Sequence, residues 1–400
     1  MRKRFLTFLL VGVMCASLAA CGDSADTPRY AVTLIHDPAA GSNEARVQSA
    51  VEQSAADAGY ISRVYVAADN TEEALEDVFK QVSDDKIKLA VAYGKDMEIP
   101  VWNAQKNHRK IKYALIDGVP RKSEDESEEI RDNTMCAGAA YEDMGFLAGY
   151  AAVKNGSRKL AFIAGEKNDL NIRYAGGFIQ GCVTAASEMS LGNDAVSITG
   201  VYSGSDELTP LRMSDALSLY GDGAEIIFTV GENIGTAVGR AASVKNMPFI
   251  CGGADLREDN ATCLFSVVPS YEGISKAIIR DFEGDKTFRG GEIVNYGIAD
   301  DSVELAIDYS DMTALTQGDI DTVIARIKSG EISISADEVT TGSAQVSLKI
   351  IDPPSASAAG STGAAGTDSG SASAAGSTGA AGTDSGLAAA SVPQDESVAE

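Results

Sequence analysis

Positive charge, histidine and long apolar runs are all scarce in this chain of 400 residues. Lys and Arg number 33 against 58 Asp and Glu, giving a formal net charge of -25. A field of that sign repels phosphate backbones and anionic headgroups, so nucleic acid is excluded as a partner. His36 and His108 are the two histidines, and the six cysteines show no Cys-x-x-Cys spacing, so no zinc-site pattern is present. Nor does the chain contain GxGxxG, GxxxxGK[ST] or GxSxG, which removes the usual support for dinucleotide, nucleotide-triphosphate and serine-hydrolase chemistry. No cofactor and no enzymatic activity are expected.

What is present starts with Arg2-Lys3-Arg4, an apolar stretch over 5–13, and Leu18-Ala19-Ala20 just before Cys21. A basic start, a short apolar core and small residues before a cut describe a secretory signal over 1–20, too short to span a bilayer stably. Leu-Ala-Ala-Cys resembles the bacterial lipobox, which implies that Cys21 carries a diacylglycerol and that its freed amino terminus is acylated. Two or more acyl chains hold a protein on a membrane durably. The expectation is a linker over 21–29 and a body outside the cell, anchored to the cell membrane through Cys21.

At the other end, residues 355–370 recur unchanged as 371–386, SASAAGSTGAAGTDSG. Such a composition buries too little apolar surface to offset chain entropy, so a disordered tail is expected over 351–400. Between anchor and tail, short β-rich runs alternate with helical patterns, the signature of parallel sheets covered by helices. Strands are expected over 31–35, 63–66, 89–92 and 112–116, then over 159–164, 197–202, 225–229, 249–252 and 264–268. Helices are expected over 45–58, 71–81, 141–154, 174–187, 234–245 and 271–281. The two series predict an α/β fold of two doubly wound parallel-sheet lobes with a hinge. Lobe 1 takes 30–137 and 252–285; lobe 2 takes 138–251 and 286–350.

Open α/β sheets bind ligands beyond the carboxyl ends of their strands. His36 and Asp37 follow the first strand, Tyr93 and Gly94 the third, Asp117 the fourth, Glu232 and Asn233 the strand over 225–229, and Asp255 the strand over 249–252. One such carboxylate is as often a helix cap; the recurrence in both lobes favours a site. Gly231, Gly235 and Gly239 share one helical face and suit close packing of helix on sheet. Cys251 and Cys263 are either a disulfide pair or small core residues.

Gly145-Phe-Leu-Ala-Gly-Tyr-Ala-Ala152, Lys159-Leu-Ala-Phe-Ile-Ala-Gly165 and Tyr174-Ala-Gly-Gly-Phe-Ile-Gln-Gly181 together resemble the basic membrane protein family of bacterial lipoproteins. Tyr113-Ala-Leu-Ile-Asp117, Ile250-Cys-Gly-Gly-Ala-Asp255, Tyr296-Gly-Ile298 and Ser302-Val-Glu-Leu305 extend the likeness over 30–308. The resemblance implies a periplasmic-binding-protein type I fold and the substrate-binding component of an ABC transporter, with a permease as partner and a purine nucleoside as ligand; a monomer is expected. It also implies that Asp117 and Asp255 lie in the ligand cleft, where a carboxylate accepts both hydroxyl protons of a ribose diol. Tyr174 stands where the family has an aromatic, and either stacks on a base or packs in the core.

The family's first loop has an aromatic wall; here the stretch 36–44 is His-Asp-Pro-Ala-Ala-Gly-Ser-Asn-Glu. His36, Tyr93 and Trp102 are the candidate replacements. A family lysine after the strand over 264–268 has no counterpart, since Pro269 and Ser270 stand there. A sensing lipoprotein would use the same site with a different partner, and a hydrolase would use Asp37, Asp117 or Asp255 as paired carboxylates.

Overall fold

The computed structural model describes residues 31–35, 43–68, 71–123, 127–283 and 288–352. The anchor sequence with Cys21, the loop carrying His36 and Asp37, and the duplicated tail lie outside them. Six strands form the first sheet: β1 (Ala31–Ile35), β2 (Ile61–Tyr65), β3 (Leu89–Tyr93), β4 (Lys112–Ile116), β5 (Thr134–Ala139) and β11 (Ile293–Tyr296). Their order is β11-β5-β4-β3-β1-β2, with every pairing parallel. Helices α1 (Asn43–Asp57) and α8 (Tyr271–Glu283) cover one face; α2 (Glu72–Asp84) and α3 (Glu98–Asn107) serve the core cluster of the other.

The second sheet has seven strands: β6 (Lys159–Ala164), β7 (Val196–Tyr202), β8 (Ile226–Val230), β9 (Phe249–Gly252), β10 (Cys263–Pro269), β12 (Val303–Ile307) and β13 (Val346–Ile351). Their order is β12-β10-β9-β8-β6-β7-β13, parallel except for β12 against β10. Helices α4 (Tyr141–Lys154) and α5 (Asp169–Glu188) lie over one face, while α6 (Pro210–Gly221) and α7 (Glu232–Lys245) pack on the other. Near the end, α9 (Gln317–Lys328) opens with a capping box of Thr316 and Asp319.

Both sheets share the order 2-1-3-4-5 in their own numbering, so each reverses direction once, between β1 and β3 and between β6 and β8. That reversal opens the crevice in which doubly wound sheets bind.

Small residues set the closest contacts. A Cβ on Gly145 or Gly149 of α4 would come 2.1 Å from backbone oxygens of Tyr174 or Phe178, and one on Gly177 or Gly181 of α5 would strike Glu142 or Phe146 at 1.9 and 2.1 Å. The two helices touch backbone to backbone, which only glycine allows. Gly235 and Gly239 pack as expected on the sheet below them, against Cys251 and Phe249. Cys136, Cys182, Cys251 and Cys263 are all buried thiols, and no disulfide joins Cys251 to Cys263.

The chain crosses between sheets at residue 140, at residue 270 and over 297–302. The first crossing lies two residues beyond the expected boundary at 137, because β5 runs to Ala139. The later ones differ from expectation: β10 pairs with β9, so 263–269 belong to the second sheet, and β11 pairs with β5, so 293–296 complete the first. Backbone pairing decides this, and nothing in the apolar patterning of these strands marks it. The crossings are laced together by Ala140 N to Tyr296 O at 2.8 Å, Ser270 N to Ser302 O at 3.0 Å and Ser302 N to Gly297 O at 3.0 Å.

Candidate functional site

Asp117 ends β4 in the left-handed region at φ 54, a conformation a non-glycine residue adopts only when its surroundings impose it. Its backbone N–H donates to Ala137 O at 2.9 Å, fixing the turn to the neighbouring strand. The Tyr271 hydroxyl donates to Asp117 Oδ2 at 3.3 Å, and the Tyr93 hydroxyl lies 3.2 Å from that of Tyr271. The Tyr93 and Tyr271 rings meet edge to face at 5.7 Å. Burial pushes the Asp117 carboxyl up to about 6, with the Tyr271 hydrogen bond opposing. Burial also raises the Tyr93 and Tyr271 hydroxyls, with the Asp117 charge adding to it.

Gly94 follows Tyr93 at φ 87 and donates its N–H to Ile116 O, so the third and fourth strands end in one joined turn. Tyr271 owes its place to Ser270, which stands where the family lysine was expected. The Ser270 hydroxyl accepts from Gly273 N at 3.3 Å and so caps α8, making Tyr271 the first residue of that helix.

From the second lobe, Tyr141 opens α4 at the first crossing. Its ring stacks on Tyr174 at 5.3 Å, and the Arg173 guanidinium lies 5.4 Å from its centre. Arg173 is in turn held by Glu142 at 2.6 and 2.8 Å. The Tyr141 hydroxyl is pushed up to about 12, by burial first and then by Asp117. Asp117 thus acts across the crevice on an aromatic of the other lobe. Tyr174 itself is only 2% exposed, bonds Met144 Sδ at 3.5 Å and neighbours Phe228, so its ring supports Tyr141 from within the core.

Asp255 has a cationic partner. Arg257 grips it through two bonds of 2.9 and 2.7 Å over the face of β10, beside Ser266. Burial works to raise its pKa, but Arg257 outweighs this and holds it below the ordinary carboxylate value. Asn233 is exposed on the first turn of α7, which begins at Glu232. Trp102 lies on α3, bonded to Glu129 at 3.0 Å and covered by Lys106, away from the strand ends. The structure therefore gathers Tyr93, Gly94 and Asp117, and adds Tyr271 and Tyr141. Both added tyrosines are the first residues of helices that follow strands, a pattern visible in the sequence. Among the described residues no group of acidic, histidine and cysteine side chains is placed to hold a metal.

Two doubly wound lobes joined by three crossings define a periplasmic-binding-protein type I fold. Solved structures agree. A solute-binding protein of an ABC transporter system from Conexibacter woesei superposes with a TM-score of 0.54 at 18% identity, covering 77% of this chain and 99% of that one. One from Aeropyrum pernix gives 0.50 at 17%, covering 78% and 94%.

Residues 35–338 match the family model for ABC transporter substrate-binding proteins, PnrA-like (Bmp), and the chain belongs to that family. The ABC transporter nucleoside-binding protein BmpA of Lactococcus lactis is 24% identical over 241 residues, 55% of this chain and 64% of the relative. Basic membrane protein D of Borreliella burgdorferi is 24% identical over 204 residues, 50% and 56%. The matched stretch is less than two thirds of either curated relative.

Proposed function

We propose that this chain is the solute receptor of an ABC importer, closing its two lobes around a nucleoside or similar ribosyl compound and handing it to a permease. The observation that carries the reading is Asp117, a carboxylate without a cationic partner among the described residues, facing phenols of both lobes. Such a group gains most from a neutral ligand that donates hydroxyl protons, and sheltered bonds of this kind contribute roughly 1.5–3 kcal/mol each. Tyr141, stiffened by Tyr174 behind it, supplies an aromatic surface from the second lobe. Hinge closure over the three crossings is the motion such a fold allows. Anchoring through Cys21 would keep the receptor beside its permease.

Thermal melting of the full chain against nucleosides, free bases, pentoses and amino acids tests the ligand. A nucleoside at a hundred times its dissociation constant should stabilise by about 2.7 kcal/mol. Asp117→Ala should abolish that shift while leaving a cooperative melt. Stabilisation by amino acids alone, or an undiminished shift in Asp117→Ala, would remove the reading.

A further inference from the structure

Edge strand β11 brings a residue to the site that no strand-end pattern marks. Its register sets Asn295 against Gly138 of β5, and Gly138 follows Ala137, the acceptor of the Asp117 N–H. Asp117, Gly138 and Asn295 therefore stand in a row across the carboxyl ends of β4, β5 and β11. Gly138 is buried, and a Cβ there would lie 3.5 Å from Asp117 Oδ1 and 3.6 Å from Asn295 Oδ1. The two side chains flank one point, and the residue between them has no side chain to fill it. Asp117 Oδ2 already accepts from Tyr271, which leaves Oδ1 with lone pairs to spare. Asn295 is exposed, and its amide forms no hydrogen bond to any described residue.

We infer that Asn295 is a ligand-contacting residue, which together with Asp117 Oδ1 grips a vicinal pair of ligand hydroxyls in the gap over Gly138. The inference rests on the receptor reading above and names the part of the ligand that the first lobe reads. A carboxylate only accepts, whereas an amide both donates and accepts. Side by side they suit two adjacent hydroxyls that donate to one group and exchange a bond with the other. A phosphate in the same place would meet the carboxylate charge and is rejected.

Isothermal titration of the full chain with adenosine, 2'-deoxyadenosine and free ribose, on the wild type, Asn295→Ala and Gly138→Ala, tests this. The wild type should prefer adenosine to its deoxy analogue. In Asn295→Ala, adenosine affinity should fall about five- to tenfold, the worth of one hydrogen bond, with the preference for adenosine shrinking alongside. Gly138→Ala makes only ordinary contacts with its neighbours, so it should fold normally, yet weaken both nucleosides because its methyl takes the gap. An unchanged affinity and unchanged preference in Asn295→Ala would overturn the inference while the receptor reading stands. Ribose binding that depends on Asn295, without nucleoside binding, would support the inference and overturn the nucleoside as ligand. A wild type that binds none of the three overturns both.

Discussion

Asp117 is held in a strained backbone, half-buried, with a phenol as its hydrogen-bond donor and no ion-pair partner among the described residues. Its carboxyl titrates near 6 in the fold and near its ordinary value when unfolded. Below the ordinary value both states are neutral and the folded one loses nothing. As pH rises through about 6 the folded carboxylate becomes charged, and the stability of the neutral form is lost. Asp117→Asn keeps an acceptor for Tyr271 and removes the charge, so it should raise the unliganded stability at neutral pH by about 1–2 kcal/mol and change little in mild acid. Denaturant melts in both conditions check this; an equal effect in the two would refute it. The place of Asp117 at a strand end is readable in the sequence, because acidic residues after strands are conspicuous. Tyr141 and Tyr271 carry only the signal of opening a helix after a strand, which any core-facing aromatic shares, and Tyr174, which does stand out, supports Tyr141 from the core. Asp255, at the other strand end singled out in the sequence, is ion-paired to Arg257, two residues on.

At the scale of elements, the α4–α5 pair is the most demanding contact. Gly149→Leu would drive a side chain into the Phe178 carbonyl, 2.1 Å from its Cβ. Backbone cannot swing aside as a side chain does, so the loss should exceed ~3 kcal/mol. A urea midpoint within error of wild type would show that the helices can separate cheaply. Ten apolar or small residues in succession, Met144 to Val153, made α4 readable as a buried helix. By contrast β5, Thr-Met-Cys-Ala-Gly-Ala, is built of small residues without alternation and gives no strand signal of its own. Its identity comes from lying between β4 and β11. The same holds for β13, which is an edge strand half-exposed along its length. Helices α6 and α9 carried start signals in Pro210 and in Thr316 with Asp319, which are weak until a partner surface is known.

At the scale of the molecule, the anchor and the cleft make one testable arrangement. If two or more acyl chains sit on Cys21, Cys21→Ser should move the protein from the membrane fraction to the soluble fraction without altering nucleoside affinity. Retention of the variant on membranes would assign the attachment to something else. The lobes also impose an order on the chain's history. The first sheet waits for β11 and the second for β13, so neither is complete until its last strand arrives from beyond residue 290. A chain emerging from its amino terminus therefore leaves β5 an open edge from residue 139 until residue 293, and β7 from residue 202 until residue 346. Both sheets therefore close only after residue 293, and the second only when β13 at 346–351 is present.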